Sequence, residues 1–577
     1  MSFSKNISFL FFAVGVTAVY AVQEVENYDS GKIKVVNIMS NDETGVAAYN
    51  KKNVHCAETL NIAHDLNIEA IAEFFPCKTL IGKTFITETL KFPVGPCAKS
   101  SVIANRQRVI KMLIEHPELK KEVDAFLESA KTNEQEVIKL MSEFFMGKSC
   151  PELKQLEQLK QQNPLGYRMV KFLTLNKTGR NILFGINMFG GISTGLSAVL
   201  NSFATYQRVK NGSSYGMQAY LAVYFSFLSG VFSYGLHQDY KNASDKRCKL
   251  YALNQLITAA EKIENLCEQY AIKSQFSIGE ITNKTGSQLI KDLKHSRYQQ
   301  KSSVFFNIPA VHIFMYDVYQ EQKYLAEVFA CIAEMDAYNA IATKMLESQN
   351  PQNKFYKNNF CFVNFIDNTQ PVVRMTGLWN VLVENAVPNS IIENRQILLT
   401  GPNAGGKTTT IRSILQNIML GQTFGVAAAE TCEFTMFDVI HSYLNVSDDL
   451  IKGDSLFVSE VKRAKAILQT IKSLEAGKKF FFALDELFTG TVSEDGETCA
   501  YKFVEKIAGC DGAQFIYATH FGRLKELGNT NVCCVNYKVD APIKNSDGKL
   551  IYPYTLSKGA SESRVAIDIA KEAKLFD

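Results

Sequence analysis

The feature that most constrains this chain lies late in it, at Ile397 to Thr410, which reads ILLTGPNAGGKTTT. The apolar run Ile397, Leu398, Leu399 ends at Thr400. Gly401-x-x-x-x-Gly406-Lys407-Thr408 follows, and then Ile411, Ile414, Leu415 and Ile418 recur at helical spacing. Strand, glycine-rich loop and helix in that order make a phosphate-binding loop. The glycines let successive backbone N–H groups turn inward around phosphates, and the helix N-terminus adds its partial positive charge. The pattern assigns Gly401, Pro402, Asn403, Ala404, Gly405, Gly406, Lys407, Thr408 and Thr409 to nucleotide binding. Lys407 is expected to reach the β- and γ-phosphates, and the Thr408 hydroxyl to ligate Mg²⁺. A short glycine pattern also arises by chance in loops, but the correctly placed strand and helix argue against that here.

The downstream sequence supplies further parts of the same machine. Phe480 to Leu484 form a buried-strand run ending in Asp485-Glu486. In this Walker B arrangement Asp485 holds Mg²⁺ and Glu486 polarises the attacking water. Many strands end in a solvated carboxylate, so it is the position of this pair after a phosphate-binding loop that carries weight. A third run, Phe515 to Ala518, ends in Thr519-His520, where the imidazole is placed to contact the γ-phosphate. Lone histidines at strand ends are more often structural. The order of these three runs assigns this one, with Glu486 and Lys407, to the catalytic set.

Four stretches carry a resemblance: GPNAGGKT at 401–408, SDDLIKGDSLFVSE at 447–460, LDELFTGTVSEDG at 484–496 and ATHFGRLKEL at 518–527. They resemble the ATPase domain of the MutS family, and the tail from Tyr554 to Leu575 is similar to that domain's closing strand and helix. The resemblance is specific from about Thr376 onward. It implies ATP and Mg²⁺ as cofactors and an α/β P-loop NTPase fold of ABC-like type, preceded by a long, mainly α-helical lever region. It also implies a composite active site in a homodimer. Ser455 would reach the nucleotide of the opposite subunit, and the Gly490-Thr491 turn would lie at the subunit contact. Ala404 stands where the family usually has a larger residue, and Thr408 replaces the commoner Ser. Neither change removes a chemical role.

The rest of the chain is read against that domain. A chain of 577 residues can bury several cores. The expected parts are 1–22, 23–54, 55–345 and 355–577. The formal net charge of +4 announces no overall basic field for nucleic acid. Thirteen cysteines without CxxC pairs or matching His spacing read as ordinary buried thiols. Residues 1–22 combine Lys5, an apolar run from Ile7 to Val19 and small residues, the pattern of a signal peptide or an uncleaved anchor, with a buried helix as the alternative. Scarcity of ATP outside the cytoplasm argues against export. Residues 23–54 read as a linker.

From His55 the pattern becomes helical. Ile103, Arg106 and Gln107, with Val109, Ile110 and Leu113 on the apolar face, resemble the start of the MutS lever. Too little chain precedes it for the mismatch-recognition and connector domains, which are expected to be missing. Phe126-Leu127-Glu128 has the Phe-x-Glu spacing of mismatch recognition but falls mid-helix, and reads as packing. A second helix, with Leu325, Val328, Phe329, Ile332 and Met335 on one face, resembles the lever's return.

Between them, 181–207 and 211–238 carry no Asp, Glu, Lys or Arg, and each run is long enough to cross a bilayer. A transmembrane hairpin at 181–238 is one reading and a buried soluble hairpin the other. The flanking Lys and Arg would place the large domains in the cytoplasm, in association with a membrane. Two functional classes therefore remain open, beside a third reading as an inactive ATPase scaffold. One is an ATP-hydrolysing MutS-like protein acting on mismatched or branched DNA in repair or recombination, where DNA is implied by the resemblance alone. The other is a membrane-anchored, ATP-driven switch that does not read DNA.

Overall fold

The computed structural model describes residues 56–96, 101–146, 161, 244–272, 315, 318, 322–349, 358–402, 404–444, 456–473, 477–546 and 550–562. The N-terminal segment 1–22, the linker up to residue 54, the apolar hairpin 181–238, Asn403, Ser455 and the tail beyond 562 lie outside the described residues. Among the described residues no helix is long and apolar enough to cross a membrane.

The chain divides into two compact units. One comprises 1–36, 129–262 and 276–329. Its described part is helical and buries Leu140, Leu250, Leu253, Leu256 and Val328. The other comprises 37–128, 263–275 and 330–577 and contains the phosphate-binding loop.

That second unit is built on a seven-stranded sheet. Its members in chain order are β1 (Glu58–Leu60), β6 (Gln396–Thr400), β9 (Val439–Tyr443), β10 (Phe480–Asp485), β11 (Ala513–Ala518), β12 (Cys534–Val539) and β15 (Leu556–Lys558). They lie side by side in the order β1-β9-β10-β11-β6-β12-β15. All neighbours are parallel except the last pair, β12 with β15. The sequence of β10, FFFALD, is buried on both faces, as strands of a helix-covered parallel sheet are. Phe480, Phe482 and Leu484 join one core with Ala500, Phe503, Val504, Ile507, Leu524 and Leu527. These come from α10 (Ser493–Ala508) and α11 (Gly522–Thr530). Phe481, on the alternate side, meets Phe437. The mixed α/β architecture with a phosphate-binding loop is therefore present.

A second sheet, order β3-β8-β4-β5, comprises β3 (Asn364–Phe365), β4 (Val373–Leu378), β5 (Asn389–Glu393) and β8 (Thr431–Phe434). Two short strands, β2 (Cys361–Phe362) and β7 (Val426–Ala427), pair beside it. The apolar residues from Phe362 to Ile366 read as a single strand. The chain instead breaks at buried Val363, whose N–H bonds Gly425 O, so the two halves can pair with different partners.

The helix that follows β6, α8 (Lys407–Phe424), is buried along almost its whole length. Its C-terminal end is gripped by upstream chain. Arg106 and Gln107 lie on α4 (Ser101–Glu115). Arg106 Nη1 donates to Thr423 O at 2.5 Å, and Gln107 Nε2 donates to Val363 O and Gly425 O, each at 2.8 Å. Gln422 Nε2 donates to Val94 O at 2.7 Å and Phe437 O at 2.9 Å.

The stretch from His55, read as helical, begins with a strand. Glu58–Leu60 forms β1 on the free edge of β9, and the short helices α1 (Ile62–Leu66) and α2 (Ile68–Phe74) come after it. Edge pairing outweighs local helix propensity over three residues. Next come α3 (Leu80–Leu90) and α5 (Pro117–Met146). Phe126 lies within α5, half-buried, beside buried Leu127. Described residues 244–269 form helix α6. The helix α7 (Gln322–Gln349) is buried on every side from 328 to 342. Its polar residues are engaged: Asp336 accepts from Lys78 N–H, Thr79 N–H and the Thr79 hydroxyl at 2.6–3.0 Å. Of the adjacent free cysteines Cys533 and Cys534, the second is buried and the first exposed.

Candidate functional site

Register brings the site together. Leu399 of β6 lies opposite Ala518 of β11, and Ala518 opposite Asp485 of β10. The residues after each strand therefore emerge at one edge of the sheet, the carboxyl end where ligands bind in open α/β folds. Two backbone bonds fix this edge: Thr519 N–H to Leu399 O and Glu486 N–H to Ala518 O, both 3.0 Å.

The phosphate-binding loop leaves β6 and turns into α8 through two left-handed residues, Ala404 at φ 64° and Gly406 at φ 96°. Alternating handedness of this kind points successive N–H groups into one concavity. A β-carbon at Gly406 would sit 3.3 Å from the Tyr554 ring, so glycine here serves both the turn and a close approach. Ala404 takes the left-handed conformation without being glycine, a strain found where surrounding structure determines the backbone.

Lys407 opens α8 with its side chain 3% exposed. Its ammonium donates to Gly401 O at 3.1 Å and lies 3.5 Å from Glu486 Oε1 and 3.3 Å from His520 Nε2. His520 Nε2 is 2.6 Å from the same Glu486 oxygen. The hydrogen bond from His520, aided by the charge of Lys407, holds the Glu486 carboxyl below its usual range. Burial depresses the Lys407 ammonium against the attraction of Glu486 and Asp485. Burial likewise raises the Asp485 carboxyl.

Asp485 supplies the test for a metal. Its Oδ2 accepts from the Thr408 hydroxyl at 2.5 Å, while its Oδ1 is buried with no hydrogen-bond partner. A buried carboxylate oxygen without a donor, next to a hydroxyl at a loop built for phosphates, fits a hard cation with oxygen ligands. Among the described residues no group of three His, Cys, Asp or Glu could cage a metal alone. Mg²⁺ is usually held by one or two protein oxygens plus water and substrate phosphates, and Thr408 and Asp485 offer two such oxygens.

A cleft of about 650 Å³ opens from this loop, within the usual range for small-molecule sites. One wall is Ala404 to Thr410 and Glu486. The other is Asn380, Val383 to Val387 and Asn389, with Tyr554. The second wall is anchored to α8: Val381 N–H donates to Gln416 Oε1 at 3.0 Å, and Asn417 Nδ2 to Trp379 O at 3.4 Å. Asn389 ties it to the tail, donating to Tyr554 O at 3.0 Å and accepting from Leu556 N–H at 2.6 Å. Tyr554, half-exposed and left-handed at φ 54°, stacks on Tyr552 at 5.9 Å.

Lys407, Thr408, Asp485, Glu486 and His520 are thus brought together. Thr409, exposed in the first turn of α8, lines the cleft. Asn403 and Ser455 lie outside the described residues. Val383 and Val387 fall in the segment Trp379 to Ser390, which resembles the approach to the nucleotide site. Pattern reading missed Tyr554, whose cue was an aromatic pair, Tyr552-x-Tyr554, ahead of a short strand.

A family model described as MutS domain V matches residues 397–577. The DNA mismatch repair protein MutS of Fusobacterium nucleatum is 30% identical over 209 residues, covering 35% of this chain and 22% of that protein. The DNA mismatch repair protein MutS of Streptococcus pyogenes serotype M1 is 33% identical over 196 residues, covering 33% of this chain and 22% of its own. The likeness therefore spans about a fifth of the length of these relatives.

Proposed function

We propose that this chain, whose residues 397–577 match MutS domain V, binds ATP with Mg²⁺ and hydrolyses it, and that the cycle serves binding of mismatched or branched DNA. The observation that carries the hydrolytic part is the convergence of Lys407, Asp485, Glu486 and His520 at the ends of neighbouring parallel strands. The DNA part is supported by the names of the relatives, DNA mismatch repair proteins.

In this reading the loop amides and Lys407 hold the β- and γ-phosphates, and Lys407 exchanges its contact with Glu486 for phosphate oxygen. Mg²⁺, held by Thr408 and Asp485, would neutralise charge developing on the phosphates. Glu486, kept ionised by His520, orients and polarises a water for attack on the γ-phosphorus. His520 then faces the γ-phosphate from the neighbouring strand. Ser455, preceding the helix α9 (Leu456–Ser473), would complete the site of a second subunit in a homodimer. Hydrolysis would be transmitted to α4 and α5 through the grip of Arg106 and Gln107 on the end of α8.

The base or ribose is assigned to the cleft wall at Val383, Val387 and Tyr554. Tyr554→Ala is expected to raise the KM for ATP about three- to tenfold with kcat little changed, from loss of one aromatic contact worth roughly 0.5–1.5 kcal/mol. Tyr554→Phe should restore it; an unchanged KM in the alanine variant would place the base elsewhere.

The whole reading is tested on the purified 577-residue chain. Phosphate release should require Mg²⁺ and vanish with chelator. Binding to a mismatched or branched duplex should exceed that to a plain duplex and weaken steeply between two salt concentrations. Absence of both turnover and an ATP-dependent rise in melting temperature would overturn the nucleotide reading. Equal binding to all duplexes would overturn the DNA reading alone.

A further inference from the structure

We propose that Glu460 is a positioning residue for the hydrolytic step: its buried carboxylate fixes the Thr489–Gly490 turn and, through it, the carboxylate of Glu486. This rests on the ATPase reading above. Glu460 lies in the second turn of α9 and is 1% exposed. Its Oε1 accepts from the Thr489 N–H at 3.1 Å, and its Oε2 accepts from the Gly490 N–H at 3.1 Å. Two backbone donors on the two oxygens of one carboxylate fix direction as well as distance. The Thr489 hydroxyl lies 3.4 Å from the same Oε1 and donates to the Glu486 carbonyl at 3.1 Å. One side chain therefore links α9 to the backbone of the residue that polarises water.

The turn needs such support. Glu486 and Phe488 are both left-handed, at φ 50° and 70°, without being glycine. Such conformations persist where the surroundings determine them. Two of the ties come from β11: Ala518 O holds the Glu486 N–H, and the Tyr517 hydroxyl donates to Leu487 O at 2.9 Å. The third is Glu460, from a different element. At Gly490 a β-carbon would lie 2.7 Å from the Phe457 backbone nitrogen, so the turn presses on the start of α9 and leaves no room for a side chain. A shift of α9 must therefore move the turn, and the turn carries Glu486. In this arrangement Glu460 acts on the placement of Glu486 while lying outside the cleft.

The test compares the full-length parent with Glu460→Gln and Gly490→Ala, reading kcat, KM, affinity for a fluorescent ATP analogue and thermal melting. In Glu460→Gln an amide group replaces one accepting oxygen, so one N–H of the turn loses its partner. Gly490→Ala pushes the turn off α9 with Glu460 intact. Both are expected to lower kcat on the order of ten- to a hundredfold, the scale of a small misplacement of a catalytic group, with analogue affinity within about twofold of the parent, since neither touches the phosphate-binding loop. Unchanged kcat in both variants overturns the proposal. So does a parallel fall of kcat and affinity, the mark of a carboxylate that only holds the fold. A parent that binds the analogue without turnover overturns the ATPase reading itself, and this proposal with it.

Discussion

Glu486→Gln is expected to lower steady-state ATP turnover by at least about a hundredfold, within the range contributed by a positioned acid or base, while ATP affinity stays near that of the parent. The substitution preserves shape and removes charge. Glu486 Oε1 lies 2.6 Å from His520 Nε2 and 3.5 Å from Lys407 Nζ, and these partners hold its carboxyl below the usual value. It is therefore ionised across the neutral range and available to accept a hydrogen bond from water. In the proposed mechanism the phosphates are held by loop amides and Lys407, which the variant leaves in place. Equilibrium binding of a fluorescent analogue, set beside phosphate release, separates the two effects. Turnover above about a tenth of the parent's would assign the polarising role elsewhere. The sign of the pH effect follows from the same contacts. With a depressed carboxyl, the acid limb due to Glu486 falls below the ordinary carboxylate range. Removing its leading partner in His520→Ala should shift that limb upward.

The parts of this site that were legible in sequence are those in which chemistry and chain order coincide. Each of the three strands carrying Lys407, Asp485–Glu486 and Thr519–His520 is an apolar run ending in a polar group, and parallel pairing then aligns their ends. Local pattern was enough because the strand, the loop and the functional residue are contiguous. Tyr554 and Glu460 were illegible for the opposite reason. Tyr554 reaches the loop through the Asn389 latch, far away in sequence. Glu460 reads as one more charge on an amphipathic helix, and only folding turns it inward onto Thr489 and Gly490. The strand β1 was missed because three residues carry no periodicity, and their partner β9 lies far along the chain. In α7 the apolar face read from Leu325, Val328 and Ile332 is buried as expected. The opposite face is buried too, because Asp336 and Asn339 find partners in Thr79, Asp124 and Lys120. A polar residue at a helical position looks solvated until its acceptor or donor is known.

Lys407→Met should abolish the effect of ATP without destabilising the ligand-free protein. The ammonium is buried, and burial depresses its pKa despite Glu486 and Asp485 nearby. A lysine whose folded value lies below its unfolded value opposes folding while it is charged. That penalty is complete below the folded value and is relieved as pH rises through the window up to the unfolded one, about 10.4. Methionine fills similar space without the charge, so the ligand-free variant is expected to melt at or above the parent temperature at neutral pH. Its stability should also lose the alkaline rise that Lys407 contributes. ATP is expected to act in the reverse sense. Phosphate oxygens add counter-charge beyond that of Glu486 and Asp485, so the parent should gain about 2.7 kcal/mol at a ligand concentration a hundred times Kd. The variant should gain close to nothing, and its turnover should fall with its affinity. That loss of kcat and affinity together sets it apart from Glu486→Gln, in which affinity is retained. A Lys407→Met variant that still melts higher with ATP would show that phosphate is held without this ammonium, and the role assigned to the loop lysine would be withdrawn. A variant that melts well below the parent without nucleotide would instead show that the contacts of Lys407 with Gly401 O and Glu486 outweigh the burial of its charge.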